Sequence, residues 1–125
     1  LRRSADMRRI RAAIGQNDPR AKLAFDVYVH RLRAQIGAML PSLDRLDALV
    51  FTAGVGENSP EVRSATCEAF GFLGLKLDGS KNTSNPKDQD IATPESTARI
   101  LVIHTQENWA IAQECWRLVG EGSTL

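Results

Sequence analysis

The chain has 125 residues, 42% of them hydrophobic and 25% charged, with a formal net charge of +1. That profile belongs to one ordinary soluble domain able to bury a core, and it excludes a disordered tail. No apolar run nears the roughly 20 residues that cross a bilayer. "LRRSADMRRIR" has no apolar segment and no small-residue cleavage site, so nothing reads as export or membrane anchoring.

The first residue is Leu rather than Met, and the chain is read as a fragment. Arg2, Arg3, Arg8, Arg9, Arg11, Arg20, Lys22, Arg31 and Arg33 crowd the first third. Base-stacking aromatics and a known module are both missing there, which argues against nucleic acid and for a solvated helix face that partly serves anion binding. Asp18-Pro19 reads as a helix cap followed by Pro at the first helical position. The helix it starts is expected to run to about Leu40, with an apolar stripe of Ala21, Phe25, Tyr28, Leu32, Ile36 and Met39. Lys22, Asp26, His30 and Arg33 form its polar stripe.

"DALVFT", Asp47 to Thr52, predicts a strand buried on both faces. A glycine-containing turn follows, then a helix opening at Ser59 (cap), Pro60 and Glu61, with Val62, Ala65, Phe70 and Leu73 available to the core. "LKLD" is a minimal strand, and the apolar-free segment 79–90 is expected to be a flexible surface loop. "ARILVIHT" predicts a second buried strand. It leads to a helix capped by Thr105, whose Trp109, Ala112, Trp116 and Val119 are expected to pack between the sheet and a partner surface. Residues 120–125 are expected to fray. Cys67 and Cys115 lie far apart in helical patterns without a C-x-x-C spacing, so both are expected as buried free thiols in a reducing cytosol.

Two strand–loop–helix units in succession predict an α/β domain, in which ligands collect beyond the C-terminal ends of strands. "AGVGENS" and "HTQEN" both lie at such ends. Gly54 and Gly56 permit close backbone approach and positive φ, and the next helix start offers unpaired N–H groups. The spacing is neither the dinucleotide fingerprint nor a phosphate-binding P-loop. A simple strand-to-helix turn, with Glu57 and Asn58 satisfying local backbone groups, therefore stays open beside a ligand loop. Glu107 is equally open: a carboxylate in a first helical turn is stabilising by itself, and it is also a ligand type suited to Mg²⁺.

"DALVFTAGVGENSPEVR", "FGFLGLKLD" and "IATPESTARILVIHTQENWAIAQE" together resemble the C-terminal third of the acetate kinase family and its short-chain carboxylate kinase relatives, over about Ser4 to Glu114. The run G-x-G-E-N-S-x-E-V-R is the most specific part. The resemblance implies the ribonuclease-H-like α/β fold shared with actin, Hsp70 and sugar kinases, here a partial C-terminal domain with a mixed sheet flanked by helices. It implies reversible, Mg²⁺-dependent transfer of the γ-phosphoryl group of ATP to acetate, giving acetyl phosphate and ADP, by a cytoplasmic homodimer. Gly54, Val55, Gly56, Glu57 and Asn58 match the adenosine-binding loop. "ADMR" supplies Asp6, Met7 and Arg8 as a second nucleotide-contacting segment, and Glu107 matches the Mg²⁺ carboxylate.

The chain departs from that family in two places. The entry to the second segment reads Arg3-Ser4-Ala5, and His104-Thr105-Gln106-Glu107-Asn108 replaces the usual Pro-Thr-x-Glu-Glu. The family's acyl pocket, its catalytic His, Arg and Asp, and its phosphate-gripping hairpin all precede the matched segment. The implied chain thus carries the adenosine side without the chemistry and is expected to be inactive alone. Propionate and butyrate kinases stay open as alternatives. So does a non-catalytic interaction module built on the aromatic last helix.

Overall fold

A computed structural model of the chain describes residues 6–121. Ala5, at the entry to the expected second segment, and the expected frayed residues 122–125 lie outside the described residues. Helix α1 (Met7–Gly15) starts where the Asp6 side chain accepts from the Arg8 N–H, and it closes on Asn17, which adopts a left-handed φ of 59°. Helix α2 (Pro19–Met39) follows with the expected cap, Asp18 accepting from the Arg20 N–H. Its inward line passes through the buried Ala21 and Val29 and the half-buried Phe25, Leu32 and Ile36, continued by the half-buried Leu40 just past its end, while Tyr28 and Met39 are exposed. The 3.6-residue period admits either neighbour at these places, and the surface packed against the helix selects Val29 and Leu40, which corrects the expected stripe. Arg33 is not on a wet face either: its Nε donates to the Ala65 carbonyl at 3.0 Å and joins α2 to the helix it packs on.

Strands β1 (Ala48–Phe51), β2 (Gln89–Asp90) and β3 (Arg99–Val102) form a mixed sheet in the order β1-β3-β2, with β1 parallel and β2 antiparallel to β3. Between β1 and β2 run α3 (Ala53–Asn58), α4 (Pro60–Ala69) and α5 (Gly79–Thr83). The core joins Phe51, Ile100 and Val102 of the sheet to Cys67, Phe70 and Leu75, with Ile91 and Ala92 fully enclosed. After α4 and the 3-10 turn Gly71–Leu73 the chain reverses at Gly74, φ 85°, where an added Cβ would collide with Thr97 Oγ1.

Several expectations are corrected here. Strand β1 is an edge strand buried along one face only, with Val50 50% exposed. Segment 79–90 is not an unstructured loop, since it carries α5 and β2. Polar groups order it in place of apolar ones: Asp78 Oδ1 accepts from the Lys81 N–H at 3.0 Å, and the buried Asn82 donates to the Pro60 carbonyl at 2.9 Å. "LKLD" forms only an isolated bridge, Leu77 with Ala92.

Helix α6 (Glu107–Glu121) includes Gly120 and Glu121, which were expected to fray. Its residues 107–120 are all exposed, so the expected packing against the sheet is absent: Trp109 is 61% and Trp116 82% exposed. Cys115 is therefore exposed and only Cys67 is buried. Among the described residues no helix is long and apolar enough to cross a membrane.

Candidate functional site

The register of the sheet decides what meets at its C-terminal edge. Phe51 is paired with Val102, and the Ile103 N–H donates to the Phe51 carbonyl at 2.9 Å, so β1 and β3 end together and their loops leave side by side. The first loop is itself a short helix, α3. Its reversal is made by Ala53, φ 59°, and by neither glycine, which corrects the expected use of Gly54 and Gly56. Gly56 instead permits a close approach within the fold: an added Cβ would lie 3.2 Å from the Phe51 carbonyl carbon. At Gly54 an added Cβ meets nothing within 4 Å.

That open side faces a cleft of about 590 Å³ between the start of α1 and the α3–α4 junction. Asp6, Met7 and Arg8 line one wall and Gly54, Val55 and Asn58 the other. Segments more than forty positions apart, each singled out in the sequence, are thus brought face to face. Arg11 and Ser59 complete the lining. Arg11 was missed as a site residue, though its place one helical turn after Arg8 points to it. It donates to the Asn58 carbonyl at 3.2 Å and to Glu61 Oε1 at 2.6 Å, tying α1 to the α3–α4 junction. Ser59 holds the expected N-cap position of α4, but its side chain makes no capping bond: the hydroxyl donates to the Glu61 carboxylate at 3.3 Å. The Arg8 guanidinium holds the Asp6 carboxyl below its usual range. The walls combine apolar Met7 and Val55 with a few oriented polar groups, the composition of a small-molecule site.

Gly56 and Glu57 are not on this wall. Glu57 turns to the neighbouring strand end, where its Oε1 accepts from the Thr105 N–H at 2.9 Å and hydroxyl at 3.0 Å, and its Oε2 lies 2.6 Å from His104 Nδ1. Those bonds, the Thr105 N–H foremost and His104 next, lower its pKa from 4.5 to about 2. The Thr105 hydroxyl is thereby spent on Glu57 rather than on capping α6. Beneath α3, the buried Arg63 donates to the Gly56 and Glu57 carbonyls, each at 2.7 Å, and to the Asn82 side chain at 2.7 Å and carbonyl at 2.8 Å. A planar fork with five donors suits this array of acceptors. Arg63 closes the G-x-G-E-N-S-x-E-V-R run, and that position in the motif was the signal available for it.

Glu107 stands exposed in the first turn of α6, outside the cleft. Among the described residues no group of three His, Cys, Asp or Glu gathers for a metal. One exposed carboxylate fits a Mg²⁺ that arrives with phosphate oxygens and water, and does not fit an all-protein cage.

Fold and cleft together define an α/β domain with a mixed sheet and a cleft beside the segment that leaves the C-terminal end of β1. Residues 2–113 match the Acetokinase family. The chain is 66% identical over 116 residues to an acetate kinase of Nostoc punctiforme, covering 93% of this chain and 29% of that protein. It is 66% identical over 113 residues to one of Gloeothece citriformis, covering 90% of this chain and 28% of that protein. The crystal structure of Porphyromonas gingivalis acetate kinase superposes with a TM-score of 0.80 at 34% identity, over 93% of this chain and 29% of that one. A propionate kinase from Francisella tularensis superposes with a TM-score of 0.77 at 37% identity, over 87% of this chain and 28% of that one. The domain has the actin, Hsp70 and sugar kinase fold, and the chain belongs to the acetate kinase family. It spans less than a third of the length of these relatives.

Proposed function

We propose that this chain is the adenosine-binding part of a kinase that transfers the γ-phosphoryl group of ATP to acetate. The observation that carries the reading is the cleft in which Asp6, Met7 and Arg8 face Gly54, Val55 and Asn58. Met7 and Val55 offer apolar surface to a base and Arg8 a planar cation able to stack on it, while the Asp6 carboxylate, which accepts from the Arg8 guanidinium, fixes that cation at the cleft. A carboxylate oxygen of acetate attacks the γ-phosphorus and ADP leaves with the electrons of the broken P–O bond. Mg²⁺, when bound, neutralises charge that develops on the phosphoryl oxygens, and Glu107 is the residue of this chain that would hold it. A homodimeric, cytoplasmic enzyme is part of the same reading.

Titration of the purified chain with ATP and GTP, followed by a coupled assay for acetyl phosphate, tests it. ATP is expected to bind weakly, with Kd near the millimolar range, about 4 kcal/mol of binding free energy, because only one side of the nucleotide is met. No turnover is expected. Failure to bind any nucleotide, or measurable turnover by this chain, overturns the reading. A propionate-preferring enzyme is the second reading, supported by the 37% identity to the Francisella propionate kinase. Turnover with acetate against propionate in the full-length protein decides between them.

A further inference from the structure

Among the described residues, every side-chain hydrogen bond between α3 and residues 103–107 runs through one carboxylate. Glu57 receives the Thr105 N–H and hydroxyl on Oε1 and faces His104 Nδ1 with Oε2. Both ends of this tie are anchored. The Glu57 carbonyl is held from below by Arg63, and the His104 N–H is held from the far side by Asp88 Oδ1 at 2.9 Å. The Glu57 side chain is only 13% exposed while His104 is 54% exposed, so the two Thr105 bonds are the shielded part of the tie. Its chain neighbour Asn58 lines the cleft, and Thr105 lies two residues before Glu107. His104 and Glu57 therefore connect a cleft-lining helix to the first turn of α6.

We infer that Glu57 is a positioning residue rather than a nucleotide contact: it makes α3 and the 103–107 loop one mechanical unit, so that filling the cleft orders the start of α6. This deepens the nucleotide reading above and rests on it. A carboxylate with its acceptor sites occupied by three donors is a poor partner for a ribose or a base, and a good strut.

Hydrogen exchange of the full-length protein, with and without ADP in the presence of a metal chelator, tests the inference. In the parent, ADP is expected to slow exchange about fivefold or more in peptides spanning 53–59 and also in those spanning 103–107. Glu57→Ala is expected to keep the effect at 53–59, lose it at 103–107, and leave the Kd for ADP within about threefold of the parent's. Thr105→Val, which keeps shape and removes one donor, is expected to weaken the 103–107 effect without unfolding the protein. Glu57→Gln is expected to restore it, because an amide oxygen still accepts from Thr105. Protection at 103–107 retained in Glu57→Ala, or a Kd raised about tenfold by that substitution, overturns the inference. A parent that binds ADP with protection confined to 53–59 overturns it alone, whereas a parent that binds no ADP removes the nucleotide reading and the inference with it.

Discussion

Gly54 and Gly56 sit two positions apart in α3 and answer to different surroundings. A methyl at Gly56 is pressed to 3.2 Å from the Phe51 backbone, which cannot swing aside as a side chain would. Gly56→Ala is expected to destabilise the chain by about 1–3 kcal/mol, the usual cost of overpacking. A methyl at Gly54 meets open space on the cleft wall and replaces the poorest helix former but proline. Gly54→Ala is therefore expected to raise stability by about 0.5–1 kcal/mol while weakening ATP binding. Thermal melts of both variants, with ATP titrations alongside, check the opposite signs. If both lose stability equally and both keep their affinity, the assignment of the two glycines is wrong.

The tie between α3 and the 103–107 loop has a pH signature. Glu57 has a pKa of about 2 in the folded chain against 4.5 when unconstrained, so its carboxylate favours folding. A depressed folded-state pKa contributes stability that is complete above the unfolded value and is lost as pH falls through the folded one. The contribution of Glu57 is thus expected to be complete above about pH 5 and to vanish progressively down to about pH 2. Glu57→Gln carries no charge to protonate. Urea unfolding of parent and variant over that range should show a stability gap that closes as pH falls, and a gap that stays constant would refute the assignment. Asp6 and Asp90 also titrate low in the folded chain, so the comparison with the variant is what isolates Glu57.

The protein as a whole is built unevenly. Around the sheet and α4 it is dense: Cys67 lies in that core, and burial pushes its thiol up to about 12. Around α6 it is open, and Cys115 stands there in solvent. Reaction with an aromatic disulfide reagent at neutral pH is expected to modify one thiol rapidly and the second only after denaturant, because burial keeps Cys67 both out of reach and protonated while Cys115 is exposed. Cys115→Ser should abolish the fast phase. Two fast thiols would mean that the core around Cys67, Phe70 and Ile100 is looser than its burial indicates.

How much of this was legible beforehand divides along a physical line. The Asp18 cap, the helix starts at Pro19 and Pro60 and the two main strands follow from local chemistry, and Asp18-Pro19 and the apolar runs at 48–51 and 99–102 announce them, whereas the hydroxyls of Ser59 and Thr105 bond carboxylates instead of capping. The acetate kinase resemblance of the 53–63 run was equally local, and the family match bears it out. The rest depended on what lies opposite. No periodicity tells that β1 lies at the edge of the described sheet, or that α6 finds nothing among the described residues to pack against, because burial is a property of a pair of surfaces. Segment 79–90, with no apolar residue, has the local composition of a loop, and its order comes from the buried Asn82 answering Arg63 nineteen positions earlier. Glu57 and Asn58 were grouped as neighbours in one motif. The sheet register that sets Phe51 beside Val102 sends Glu57 to Thr105 and leaves Asn58 on the cleft, a division that exists only once two distant strands pair.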